Sequence, residues 1–182
     1  MPTSRPWNLP TIIKCYLQDM EPHPFEIRWH LMCQGPEPDP KGFYKSSEGI
    51  GCAPDGWLWF PSDDSIQPST LFWRLGKIIQ SCNGIGAVVF SQRRRGVCPW
   101  TGGSWDNEEP GILRADPANM KKCRVDCTQV FFERMFLNGF RFQPAKHGSE
   151  CDGGMIEELF ERDPSRFVFA PNDYVFFNSL DP

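Results

Sequence analysis

Apolar and polar positions divide the chain into strand-like and helix-like stretches. Residues 25 to 33 read Phe-Glu-Ile-Arg-Trp-His-Leu-Met-Cys, so Phe25, Ile27, Trp29, Leu31 and Cys33 alternate with Glu26, Arg28, His30 and Met32. A two-residue period puts the apolar side chains on one face of a strand, and this run is the clearest strand in the sequence. Residues 11 to 17 are β-branched and apolar, and Glu21-Pro22-His23-Pro24 between the two runs is turn chemistry. Together they predict an antiparallel hairpin. Pro36, Pro38 and Pro40 make the next segment irregular, because proline cannot donate to a ladder and biases its predecessor away from helix. Residues 57 to 60 suit another short strand.

From Pro68 the period becomes helical. Leu71, Phe72, Leu75, Ile78, Ile79 and Cys82 fall on one stripe, with Pro68 suited to the first turn and Asn83-Gly84 to the stop. Residues 85 to 90 read as a buried strand. Residues 92 to 111 follow without any period, rich in Gly, Trp and acidic side chains, and loops of that length are functional or disordered. Asp126 and Gln129 have capping-box spacing and open a second predicted helix that runs to Asn138-Gly139. Its Val130, Phe131, Phe132, Met135, Phe136 and Leu137 cover most of the circumference, which implies deep burial. Residues 140 to 142 are a strand candidate. Met155, Ile156, Leu159 and Phe160 line one face of a third helix, opposite Glu157, Glu158 and Glu161, and Asp163-Pro164 ends it. Residues 167 to 169 and 174 to 177 flank Pro171-Asn172-Asp173, predicting a closing hairpin.

No repeat or linker divides these elements, and their order lacks the strict alternation of a doubly wound sheet. The expectation is an α+β fold in a single globular domain spanning residues 1–182. It consists of an antiparallel or mixed sheet with about three helices packed on it. Composition agrees: 40% hydrophobic and 23% charged residues separate this chain from disordered sequences. With 15 Phe and 7 Trp, rings should supply much of the buried area. The formal charge of -4 argues against broad attraction to nucleic acid or anionic membrane, both of which need a basic face. No segment approaches the roughly 20 consecutive apolar residues of a spanning helix, so the chain is expected to be soluble, with no membrane span.

Eight cysteines would suit four disulfides, yet they are spread without the dense clustering of small stapled scaffolds, and no signal-like apolar run follows the N-terminus. Reduced thiols and a cytoplasmic setting are expected. Removal of a leader before the first residue would reverse that preference and make the protein secreted.

Cys123, Cys127, His147 and Cys151 form the sharpest local constellation, spaced as C-x3-C, nineteen residues, then H-x3-C. Two close pairs of soft ligands fit a structural zinc if the chain between them returns to its start, and in a helix Cys123 and Cys127 would share a face. Against zinc, the spacing is loose and lacks C-x2-C, so unrelated thiols or disulfides remain the plainer reading, and no other cofactor is expected. Gly84-Ile85-Gly86 lies after a helix and before a strand, the reverse of a dinucleotide-binding turn.

The long loop carries Cys98, Trp100, Gly102, Gly103, Trp105, Asp106, Asn107, Glu108 and Glu109. Rings beside amides and carboxylates suit a flat or polar ligand, with Trp100, Trp105, Asp106 and Asn107 as contacts; the plain alternative folds both tryptophans back onto the core. Arg93, Arg94 and Arg95 directly follow the predicted strand, where their forked donors suit an anion or simply stay solvated. Trp73 falls opposite the apolar stripe of its helix, so it is either an interface anchor or buried between layers.

Two functional classes compete. The preferred one is a non-catalytic interaction domain that binds a protein or small polar ligand through the aromatic loop, with Trp73 and the arginine run as further contacts. The alternative is a small cofactor-independent enzyme with its site in the same region. It would use Cys98 with His147 or His30, or a carboxylate pair drawn from Asp63, Asp64, Glu108, Glu109, Glu157 and Glu158.

Overall fold

The computed structural model describes residues 2–3, 6–18, 26, 28, 32–33, 50–51, 53–61, 65–94, 112–143, 146 and 151–177. In chain order the elements are β1 (Pro2–Thr3), α1 (Leu9–Gln18), β2 (Met32–Cys33), β3 (Trp57–Trp59) and α2 (Leu71–Ser81). They continue with β4 (Ala87–Arg94), β5 (Ile112–Leu113), β6 (Val130–Glu133), α3 (Cys151–Arg162) and β7 (Phe167–Phe177). The fold is α+β. Among the described residues its main sheet has five strands and is mixed: β4 runs antiparallel to β6 and β5 along one edge and parallel to β7 along the other, while β3 extends the sheet beyond β6.

β4 shows how the sequence makes two cores from one strand. Side chains alternate across a sheet, so Ala87 and Val89 enter one cluster while Val88 and Phe90 enter the other. The first cluster is closed by Met155, Ile156 and Leu159 of α3. Leu71, Phe72 and Leu75 of α2 close the second, joined by Ile12 of α1. Phe131 of β6 anchors this second core, stacked on Trp59 at 4.9 Å and edge-on to Phe72 at 6.1 Å and Phe90 at 5.6 Å. Such ring pairs add about 0.5–1.5 kcal/mol each beyond the area they bury. No helix among the described residues is long and apolar enough to cross a membrane.

The sequence expectations for β3, α2, the start of β4 and α3 agree with these elements, and Gly84 with φ +71 stands where α2 was expected to stop. Four others are corrected. Residues 11 to 17 belong to helix α1. Leu9, Ile12, Ile13, Tyr16 and Leu17 recur at helical spacing, Ile12 is fully buried, and a strand preference from β-branching is weak enough for that packing to override. β2 therefore pairs in parallel with β1 rather than in a hairpin with residues 11 to 17. Of the run before β2, Glu26 and Arg28 are exposed and joined by a two-pronged ion pair at 2.8 and 3.1 Å. The others up to Leu31 lie outside the described residues.

The helix expected from Asp126 to Asn138 is a single 3-10 turn, Cys127–Gln129, followed by β6. An all-apolar circumference is also the signature of a strand buried on both faces, and Val130, Phe131 and Phe132 are β-branched or aromatic residues that favour the strand. Residues 140 to 142 are not a strand; the Phe140 N–H instead closes a turn on the Leu137 carbonyl at 2.9 Å.

The closing hairpin is one strand, β7, whose halves both pair with β4. The register passes from Phe90 opposite Ala170 to Ser91 opposite Tyr174, so residues 171 to 173 bulge out. Pro171 has no N–H for a ladder. Ser91 Oγ donates to the Pro171 carbonyl at 2.9 Å and accepts the Ala115 N–H at 3.0 Å, filling the gap. On the far side of β7, the Gln67 amide donates to the Phe176 carbonyl at 2.9 Å and accepts its N–H at 2.7 Å. A side chain thereby supplies what a further strand would.

Because Phe131 joins three rings and is almost wholly buried, Phe131→Ala should lower the unfolding free energy by about 3–5 kcal/mol in urea titration. A loss below about 1 kcal/mol would show that this core repacks freely.

Candidate functional site

Strands β4 and β5 pair with Gln92 opposite Leu113 and Arg93 opposite Ile112. The sheet thus holds Arg93 beside Ile112, on either side of residues 95–111. Residues 95–111, with Arg95, Cys98, Trp100, Trp105, Asp106, Asn107, Glu108 and Glu109, lie outside the described residues. Arg93 and Arg94 were expected to follow the strand but are its last residues, because β4 continues while β5 and β7 offer partners on both edges. The alternation of the strand gives them opposite fates: Arg93 is exposed and Arg94 is buried.

A buried arginine needs a carboxylate. Arg94 Nη2 donates to Asp126 Oδ2 at 2.9 Å, and its Nε donates to Gln92 Oε1. Gln92 Nε2 in turn donates to both Asp126 oxygens, at 3.0 and 2.8 Å. Asp126 also caps the turn that opens β6, accepting the Thr128 N–H at 2.8 Å, while Gln129 accepts the Asp126 N–H at 3.3 Å. The capping box read from the sequence is therefore real, although it starts a turn and strand rather than a helix. Gln129 Nε2 continues the network to the Phe90 carbonyl at 3.2 Å.

Asp152, in the first turn of α3, completes this cluster by accepting the Cys127 N–H at 3.3 Å. Close approach of α3 depends on Gly153, where an added Cβ would stand 2.8 Å from the Val125 carbonyl oxygen. Desolvation and, second, the negative charge of Asp126 push the Asp152 carboxyl up to about 6, against the opposing pull of backbone N–H groups. Asp152 and the pairing of Asp126 with Arg94 were missed in the sequence. The one available signal was Gly153-Gly154 at the start of a helix, a place where glycine signals close packing.

A second group of side chains lies along β7. Trp73 of α2 is half-buried, with the Arg74 guanidinium 5.0 Å and the Lys77 ammonium 5.6 Å from its ring centre. Arg74 reaches Asp173 in the β7 bulge at 3.4 Å, and the neighbouring Tyr174 ring lies 5.7 Å below the Arg93 guanidinium. These contacts connect Trp73 and Arg93, which the sequence offered as separate candidates, through Arg74, Asp173 and Tyr174.

The remaining candidates are placed elsewhere. Cys123 is an exposed turn residue with φ +70, and Cys127 directs its thiol to the Phe60 carbonyl at 3.6 Å. The shared helical face expected of this pair is not formed, since no helix runs there. Among the described residues no group of three or more His, Cys, Asp or Glu side chains could hold a metal ion. His147 and the side chain of Cys151 lie outside them. Glu157 accepts the Lys122 N–H at 3.1 Å and Glu158 pairs with Lys146. His30, Asp63 and Asp64 lie outside the described residues.

Two consequences are measurable. Because the folded state raises the Asp152 pKa from 3.8 to about 6, it favours the protonated acid; the contribution is full below about pH 4 and is lost as pH rises through about 6. Asp152→Asn keeps an acceptor for Cys127 and removes the charge. Urea titrations should show it about 1–3 kcal/mol more stable than the parent at pH ~8 and equal to it at pH ~4. A constant difference across that range would disprove the assignment. Arg94→Met strands the Asp126 carboxylate and should cost about 3–5 kcal/mol, with part of the loss recovered in Arg94→Met/Asp126→Asn.

No protein-family model matches the chain and no curated protein matches it significantly, which leaves the geometry of these two groups to carry the functional reading.

Proposed function

We propose that the chain is a non-catalytic interaction domain that binds a protein or a small polar ligand through residues 98 to 109, held on the β4–β5 hairpin. The observation that carries this reading is the pairing of Arg93 with Ile112, which brings both ends of the Trp- and Gly-bearing segment to one place on the sheet. Its root is fixed by the buried Arg94, Gln92 and Asp126 network. A recognition segment on a rigid base loses less freedom on binding. Trp100 and Trp105 supply contact area, and Asp106 and Asn107 supply orienting hydrogen bonds.

The carboxylate-based enzyme draws on one observation, the Asp126 and Asp152 pair beneath the same hairpin, where neighbouring acids sit in different environments. Both oxygens of Asp126 are occupied by Gln92, with Thr128 on one and Arg94 on the other, and Asp152 holds Cys127. Acids so engaged act as a clamp, and this favours the binding reading.

Trp100→Ala/Trp105→Ala tests it. The double variant should keep its circular dichroism spectrum and thermal midpoint while binding at least about tenfold more weakly to whichever member of a peptide and glycan array the parent retains. Undiminished capture by the variant would remove residues 98 to 109 from the binding role.

A further inference from the structure

We infer that the cationic surface around Trp73, Lys77 and Arg93 docks an acidic peptide segment of a partner protein. The inference rests on the interaction-domain reading, but it uses residues outside the loop. Arg74, Lys77 and Arg93 are all exposed, and Asp173 beside them is engaged by Arg74. Among the described residues no carboxylate is paired with Lys77 or Arg93, in a chain whose net charge is -4. Exposed cations with no carboxylate partner among the described residues give an acidic chain a local site for negative charge.

Lys77 and Arg93 are also held in place, each over a ring, at 5.6 Å from Trp73 and 5.7 Å from Tyr174. Ring contact restrains a long side chain before binding, so a carboxylate gains its partner at a smaller entropic cost. Arg93 can accept a carboxylate in two-pronged geometry. The Trp73 indole N–H, which has no acceptor among the described residues, suits a peptide carbonyl. A short acidic segment suits cations that lie on α2 and at the end of β4. A long polyanion would run beyond them onto the acidic remainder, which disfavours nucleic acid and anionic membrane.

The test is fluorescence anisotropy of a short fluorescein-labelled oligoglutamate peptide with the full chain. Three proteins are compared: the parent, Lys77→Glu/Arg93→Glu, and the Trp100→Ala/Trp105→Ala variant. The parent should bind, and the charge-reversed protein should bind at least about tenfold more weakly, with an affinity that falls as salt is raised. Absence of binding by the parent overturns the inference. So does equal binding by the charge-reversed protein, or tighter binding of an oligonucleotide or a phosphatidylserine vesicle than of the peptide. Array ligands lost only in the tryptophan variant, with peptide binding unaffected by charge reversal, would retain residues 98 to 109 as a site and reject this surface. The converse pattern would retain the surface and reject the loop.

Discussion

A strand buried on both faces has no water to satisfy its backbone, so every N–H and C=O must find a partner along its edges. β4 is that strand, and the fold is organised by its demand. β6 and β5 share one edge and β7 takes the whole of the other. Because the strand alternates, it also fixes where the helices lie, with α3 against Ala87 and Val89 and α2 against Val88 and Phe90. Its first half is wholly apolar and its second half, from Ser91 to Arg94, polar, so one element leads from the core to the base of the hairpin.

That polar half is buried as well except at Arg93, and its chemistry accounts for the shape of the site. Ser91 spans the bulge of β7, and Gln92 and Arg94 converge on Asp126. Bringing an arginine and an aspartate out of water costs about as much as their attraction returns, so the pair contributes definition more than stability. Four elements are located by it: the end of β4, the turn before β6, β6 itself, and through Asp152 the start of α3. Asp152 carries the consequence: burial first and the neighbouring Asp126 second oppose its charge, while backbone donors favour it.

Helices α2 and α3 were legible in the sequence because each presents one apolar stripe with clear stop signals. The strands were less so, and for separate reasons. Around Phe131 the two periodicities coincide, since a run apolar on all sides satisfies both a buried helix and a doubly buried strand; only the partners β3 and β4 decide. In β7, Pro171-Asn172-Asp173 has the composition of a turn yet forms a bulge, because both flanking halves pair with β4 and Ser91, eighty residues away in sequence, donates a hydrogen bond to the Pro171 carbonyl. The site divides in the same way. Trp73 and Arg93 were visible one by one, but their connection through Arg74, Asp173 and Tyr174 is tertiary. Asp126 announced itself only as a cap, and its pairing with Arg94 follows from a strand extension that no local pattern signals.

The amide of Gln67 gives the sheet an unusual border. Strand edges left open recruit other chains, and proteins commonly guard them with charge, proline or a covering element. Among the described residues a glutamine mimics one backbone unit opposite Phe176. The guard is itself buried, so its surroundings hold it as well as its two hydrogen bonds do. The end of β7 is thereby coupled to the short segment that carries Gln67 into α2, so that a local disturbance there would part the Phe176 backbone from its partner.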